Sequence, residues 1–144
     1  MGKKKDVDDR FKKFGTVSFT SISKVNDFIG FLEDDKVMAS KCNGCKTVFF
    51  PPRADCCKCL TTDMDWVETS GKGKLVTYSK LNFAPIGFED DVPYHIALID
   101  YGLFKIFGRI ASDLPEAEIK LGMEMETKVN KLSNGQLNYV FHKA

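Results

Sequence analysis

Cys42-Asn43-Gly44-Cys45-Lys46-Thr47-Val48-Phe49-Phe50-Pro51-Pro52-Arg53-Ala54-Asp55-Cys56-Cys57-Lys58-Cys59 is the stretch on which the reading of this chain turns. Two C-x2-C pairs stand ten residues apart. Each pair closes a tight knuckle that aims two sulfurs inward, and two knuckles on facing hairpins supply the four soft ligands that zinc accepts at about 2.3 Å. The spacing predicts one structural zinc per chain on Cys42, Cys45, Cys56 and Cys59. Four protein ligands fill the tetrahedron, so no open position remains for water or substrate.

Working outward, residues 36–62 form the predicted metal module, with a strand at 37–41 running into the first knuckle and a return strand at 47–50 closed by Pro51 and Pro52. From about residue 64 the pattern is β throughout. Strands are expected at 65–69, 75–83, 94–101, 103–111, 123–132 and 137–142, with a Gly71-Lys72-Gly73 turn and another at Gly102. Leu137, Tyr139 and Phe141 alternate in period two, and Asn134-Gly135 before them is a strong hairpin signal. Residues 114–120 have room for one short helix. Five or six strands with one short helix before the last hairpin suit a small closed barrel of the OB type.

On the amino-terminal side, Val25, Phe28, Ile29 and Leu32 recur at i, i+3, i+4 and i+7, which predicts a helix over 23–34 with one apolar stripe. Glu33, Asp34 and Asp35 lie at its carboxyl end, where the helix dipole disfavours acids and fraying is expected. Phe31 falls off the stripe and suggests a second contact, made by another protein. Residues 1–16 carry six cations against three acids and read as a solvated chain end rather than an anion-binding arm. Val7, Phe11 and Phe14 within it are spaced for a short amphipathic helix, with Gly15 as its stop. The expected organisation is therefore 1–35 helical, 36–62 zinc ribbon and 63–144 barrel.

Composition excludes several classes. At 144 residues the chain buries roughly 68–70% of its unfolded surface, enough for one sizeable core and a small metal-held module. No stretch approaches the ~20 apolar residues of a membrane span, and no apolar run follows the basic start as a secretory signal would require. Five cysteines, four of them in a metal pattern, fit a reducing compartment, so the location expected is cytoplasmic. Lys plus Arg number 21 against 20 Asp plus Glu, a net charge of +1, which gives no broad field for a nucleic-acid backbone.

Taken together, Cys42-x2-Cys45, Phe50-Pro51-Pro52-Arg53, Cys56-x2-Cys59, Ser70-Gly71-Lys72-Gly73, Ala84-Pro85 with Pro93-Tyr94, and Gly108-Arg109-Ile110 before Leu121-Gly122-Met123 resemble one family. That family pairs a rubredoxin-like zinc ribbon with an OB-fold, and the resemblance covers about residues 22–143. It implies a mainly β chain and an acyl-CoA-associated protein that serves as the small partner of a thiolase-like condensing enzyme, with the nucleophile on the larger subunit. Cys57 departs from the family, which usually has proline there, and Lys46 and Leu60 replace glycines that commonly follow each knuckle. Glycine eases a positive φ, so strain is expected at both positions.

The residues themselves offer little catalytic machinery. Cys57 is the one non-ligand thiol, and it has no histidine near it in sequence. His95 and His142 read as structural hydrogen-bonders. There is no Gly-x-Ser-x-Gly elbow, and Gly71 and Gly73 lack the spacing of a phosphate loop. The chain is therefore not expected to catalyse by itself. Coenzyme A wants cationic donors for its phosphates and a partly apolar groove, and the candidates are Arg53, Arg109, Lys72, Lys74 and Lys80. Phe28, Phe31, Leu32, Ile86 and Phe88 are the candidate contacts with the large subunit. Two other classes use the same parts. A rubredoxin-like electron carrier holds iron on four thiolates, and an OB-fold can bind single-stranded nucleic acid, although that binding expects a basic groove.

Overall fold

The protein, seen in a computed structural model, is described over residues 7–16 and 23–144. Eight strands form two sheets: β1 (Met38–Cys42), β2 (Val48–Phe49), β3 (Met64–Glu68), β4 (Gly73–Leu81), β5 (Tyr94–Asp100), β6 (Lys105–Ile110), β7 (Glu124–Lys131) and β8 (Leu137–Lys143). The first three make a small sheet in the order β2-β1-β3. The other five close into a barrel in the order β4-β5-β6-β8-β7, with β4 returning to pair with β7. The fold is thus mainly β, a ribbon followed by a five-stranded OB-type barrel.

One assignment changes sides. β3 lies beyond residue 62 and was expected to open the barrel, yet all five of its residues pair antiparallel with β1, from Met38 opposite Glu68 to Cys42 opposite Met64. A strand's partner is set by register across the chain and not by its own alternation, so its pattern alone did not assign it. The predicted helix at 114–120 is one 3-10 turn, Glu116–Glu118.

Barrel closure follows the alternation of each strand. On β5, Ala97 and Ile99 point inward and Leu98 outward, and opposite them on β6 Gly108 and Ile106 face in while Phe107 faces out. The inward set, Leu75, Ala97, Ile99, Ile106, Ile110, Ile119, Met125 and Phe141, forms one buried cluster. Gly73 admits the neighbouring ring and branch: a Cβ there would stand 2.5 Å from Ile99 Cγ2 and 3.0 Å from Tyr101.

The helix α1 (Asp27–Glu33) starts later than its periodicity suggested, because 24–26 form a turn closed by Phe28 N–H to Val25 C=O. It stops where Asp35 takes a left-handed φ of 61° and Lys36 N–H closes on Phe31 C=O. Phe28, Ile29 and Leu32 are buried and, with Val37, form a second cluster that Phe50, Trp66, Leu137 and Tyr139 flank. This cluster joins helix, ribbon and barrel. The amino-terminal residues 7–16 are part of that joint rather than a solvated end. Phe14 packs edge-on to Phe28 and over Tyr139, Gly15 N–H bonds Leu137 C=O at 2.8 Å, and Arg10 bridges Asp8 and Asp27. The turn there is a 3-10 helix, Arg10–Lys13, and residues 1–6 lie outside the described part.

Candidate metal centre and barrel cleft

The two knuckles are built alike. Lys46 N–H bonds Cys42 C=O and Leu60 N–H bonds Cys56 C=O, each at 3.0 Å, while Cys42 and Cys56 N–H reach Thr47 and Thr61 C=O, each at 2.9 Å. Amides also approach the sulfurs, Cys45 N at 3.3 Å from Cys42 Sγ and Lys58 N at 3.4 Å from Cys56 Sγ. Such donors stabilise thiolates and hold them in place. The four sulfurs lie within 4.8 Å of one another, with Cys42 and Cys59 at 3.3 Å and Cys45 and Cys56 at 3.5 Å. A tetrahedron with ~2.3 Å metal–sulfur bonds has edges of roughly 3.8 Å, so this donor set fits a four-thiolate metal ion with small adjustments. Cys57 is exposed and outside the cluster.

As free thiols the four would not titrate alike. Cys45 is drawn down to about 6, first by the Thr47 hydroxyl, which meets its sulfur at 3.2 Å. Cys42 is pushed up to about 11: the Cys45 amide favours its thiolate, but burial and the neighbouring thiols outweigh that bond. Lys46 and Leu60 both take left-handed conformations, φ 62° and 61°, at the two positions where glycine was expected. Outside glycine this costs about 1–2 kcal/mol per residue.

The predicted cations do not converge. Lys74 and Lys80 lie six residues apart on β4, roughly 20 Å at strand rise. Lys72 pairs with Glu124 at 3.1 Å and Lys80 with Glu116 at 2.6 Å. Arg53 lies on the ribbon, its amide tied to Ser40 Oγ at 2.8 Å and its guanidinium over the Phe49 ring. Arg109 is not a free cation either: it bonds Asp91 at 2.8 Å and is held over Tyr94 at 3.8 Å and Phe88 at 5.0 Å. Sequence reading missed these partners because Asp91 and Glu116 are distant in the chain. Lys80 and Arg109 share a concavity, a cleft of about 610 Å³ at one end of the barrel that Tyr94, His95, Glu116 and His142 also line. The buried His95 Nε2 has no hydrogen bond there and lies 3.9 Å from Glu116. Lys80 holds the Glu116 carboxyl below its usual range, chiefly by direct hydrogen bonding.

The candidate interface divides as well. Phe28 and Leu32 are 3% and 1% exposed and serve the internal joint, and Phe31 meets Trp66 edge-on at 5.2 Å, so its second neighbour is the chain's own ribbon. Ile86 stands 91% exposed, and Phe83, which lies beyond the end of β4 at Leu81 and does not close the strand, 90%. Phe88 is half-buried against Arg109.

Comparison with known proteins divides the chain within β3. The rubredoxin-like zinc ribbon domain of ChsH2 matches residues 31–65, and the ChsH2 C-terminal OB-fold domain matches 66–130. A "DUF35 domain-containing scaffold protein" of Pyrococcus furiosus is 33% identical over 103 residues, 71% of this chain and 74% of that one. This chain belongs to the DUF35 family. A second DUF35 scaffold protein, from Methanothermobacter thermautotrophicus, is 30% identical over 71% of this chain and 80% of its own length. A third, from Methanocaldococcus jannaschii, is 38% identical over 64% of this chain and 66% of that one, just under two thirds. Among solved structures, a chain of the Ltp2-ChsH2(DUF35) aldolase shares the fold with a TM-score of 0.70 at 24% identity, covering 86% of this DUF35 chain and 98% of the other. A DUF35 protein of unknown function from Sulfolobus solfataricus matches with a TM-score of 0.54 at 20% identity, over 76% and 81%. No helix among the described residues is long and apolar enough to cross a membrane.

Proposed function

We propose that this DUF35 chain is a non-catalytic accessory subunit, structured by one zinc ion, that docks on a thiolase-like enzyme and helps position an acyl-CoA. One observation carries the reading. Phe83 and Ile86 stand about nine-tenths exposed on a loop that adjoins the cleft through Asp91 and Pro93, in a chain whose relatives are named scaffold proteins. Exposed aromatic and branched side chains of this kind favour a protein partner. The solved chain that shares the fold belongs to a structure named as an Ltp2-ChsH2(DUF35) aldolase.

The cleft of about 610 Å³ falls in the size range of small-molecule sites. Its apolar residues, Leu114, Leu132 and Val140 among them, suit part of a pantetheine arm, and Lys80 is the cation proposed there for a coenzyme A phosphate, with Lys74 and Arg53 lying outside the cleft. The nucleophile belongs to the large subunit, because Cys57 and the two histidines form no nucleophile–base pair among the described residues. The acyl-CoA proposed is benzoylsuccinyl-CoA, the substrate of the anaerobic toluene-degradation thiolase whose small subunit the motifs resemble. Zinc is preferred to iron because the chain continues into a large barrel that an electron carrier does not need. The cell interior is the compartment proposed.

The test is to recover the tagged chain from its native host, identify what accompanies it and assay acyl-CoA cleavage. A thiolase-like chain in the complex, with turnover by the complex and none by the small chain, is the expected result. Turnover by the purified small chain alone would overturn the reading, and so would recovery without any thiolase-like chain.

A further inference from the structure

Phe83 and Ile86 do not hang on a loose loop. Within residues 82–93, 85–88 form a turn in which Phe88 N–H bonds Pro85 C=O at 3.1 Å, with Gly87 at φ 92°, the left-handed value that the third position of a type II turn requires. Gly87 N–H donates to Glu89 Oε2 at 2.7 Å, and Asp91 N–H closes on Phe88 C=O at 3.1 Å. One side chain then ties this loop to the barrel wall. Arg109 projects from β6, where it pairs with Ile96 of β5, and its guanidinium lies over Tyr94 and Phe88 while bonding the Asp91 carboxylate. A stacked cation on two rings and a charged hydrogen bond together exceed any single surface ion pair.

We infer that Arg109 is a positioning clamp that holds residues 82–93 as a preformed knob, and that Phe83 and Ile86 enter an apolar pocket rimmed by Lys or Arg on the large subunit. The inference rests on the accessory-subunit reading above and goes past it by giving Arg109 a role other than phosphate binding. One guanidinium donor is bonded to Asp91, whose carboxylate offsets the charge, and two rings cover the group, so Arg109 is engaged by the loop and is not a free cation awaiting a coenzyme phosphate. The rim chemistry follows from charge. Glu89 and Asp90 are exposed beside the two anchors, and Asp90 has no ion-pair partner among the described residues. A basic rim complements them, whereas a nucleic-acid backbone would be repelled. The apolar surface also continues beyond the knob, since Leu98 is opposite the outward Phe107, 59% exposed, with Val76 at the adjacent bulge, 42% exposed. Fixing such anchors before encounter removes the ordering entropy that a floppy loop would lose on binding.

The experiment has two arms. In the isolated chain, Arg109→Gln should speed amide exchange of Phe88 and Asp91 by more than about tenfold, the loss of at least ~1.4 kcal/mol of local protection, with metal content unchanged. Asp91→Asn repeats the test without altering a barrel strand. Unchanged exchange in both variants overturns the clamp. In the tagged complex, Phe83→Ser with Ile86→Ser should weaken association by about a hundredfold or more, since two anchors of this kind are each worth a factor of ten or more. Leu103→Ser with Leu121→Ser, equally apolar changes elsewhere on the surface, should leave it intact, and Asp90→Lys should weaken it in a salt-dependent way. Retention of the thiolase-like chain by the Phe83/Ile86 variant removes the knob and leaves the accessory reading standing. Failure of the wild-type chain to bring down any such partner removes both.

Discussion

The ribbon and the barrel are comparable β structures that are held together by different means. The barrel encloses eight buried apolar side chains, with Phe141, Ile99, Ile106 and Met125 wholly inaccessible. The ribbon, residues 38–68, buries little beyond Ala39, Ser40 and the two inner cysteines, Cys42 and Cys56. A core of the first kind folds by removing apolar area from water, and a module of the second kind has too little area to do so. The ribbon therefore relies on the joint at Phe28, Phe50, Trp66 and Tyr139 and has four clustered cysteines placed to hold a metal ion. Two natural probes separate the halves. Trp66, the single tryptophan, lies on β3, and the four tyrosines, Tyr78, Tyr94, Tyr101 and Tyr139, all lie on or beside barrel strands.

The largest effect is expected from breaking the ribbon alone. Cys42→Ser should abolish metal binding and melt the ribbon, because apparent metal-binding energies in such modules are on the order of 10 kcal/mol. Trp66 fluorescence should shift to that of exposed indole while tyrosine and backbone signals of the barrel persist. Full metal content in Cys42→Ser, with loss in Cys57→Ser, would contradict the ligand assignment. Chelation of the wild-type protein should give the same asymmetric result.

Next in size is the reverse experiment. Phe141 is completely buried, and Phe141→Ala should destabilise the barrel by about 3–5 kcal/mol in denaturant titrations followed by tyrosine fluorescence. Metal stoichiometry should remain at one per chain. A loss below about 1 kcal/mol would mean that the barrel core collapses around the vacancy far more freely than close packing allows.

A smaller effect should appear in alkali. Burial pushes the Tyr139 phenol up to about 12, and its hydroxyl donates to Phe107 C=O at 2.9 Å. A group whose pKa is raised on folding contributes stability that is complete below its unfolded value near 10 and is lost as pH rises through the folded value. Barrel stability should therefore decline between about pH 10 and 12, and Tyr139→Phe should flatten that decline. Equal slopes in both proteins would refute the coupling. The smallest change belongs to the knuckles. Leu60→Gly should relieve the left-handed backbone at φ 61° and, after the extra freedom of glycine when unfolded, stabilise the ribbon by roughly 0.5 kcal/mol. A measured loss of metal affinity would instead show that the Leu60 side chain matters to the knuckle.

Local signals were legible because each is written within a few residues. The cysteine spacing located the four sulfurs, strand alternation placed β4 to β8 within about two residues of their ends, and the missing glycines marked Lys46 and Leu60. What misled were features whose meaning depends on a distant partner. Phe28 and Leu32 look the same in sequence whether their stripe meets a core or another protein, and only the packing of Phe50, Trp66 and Tyr139 against that helix decides. Arg109, Lys72 and Lys80 are identical as free or paired cations until the acids 18, 52 and 36 residues away are brought to them.

The sequence by itself determined which four cysteines come together, the strand content and the kind of fold, since spacing and period act through bonds and hydrogen bonds between near neighbours. The tertiary structure alone decided that β3 is a ribbon strand, that the amino-terminal aromatics serve the joint, and that Arg109 faces Asp91. Those outcomes come from register and barrel closure, which bring together residues whose separation along the chain carries no trace of their contact.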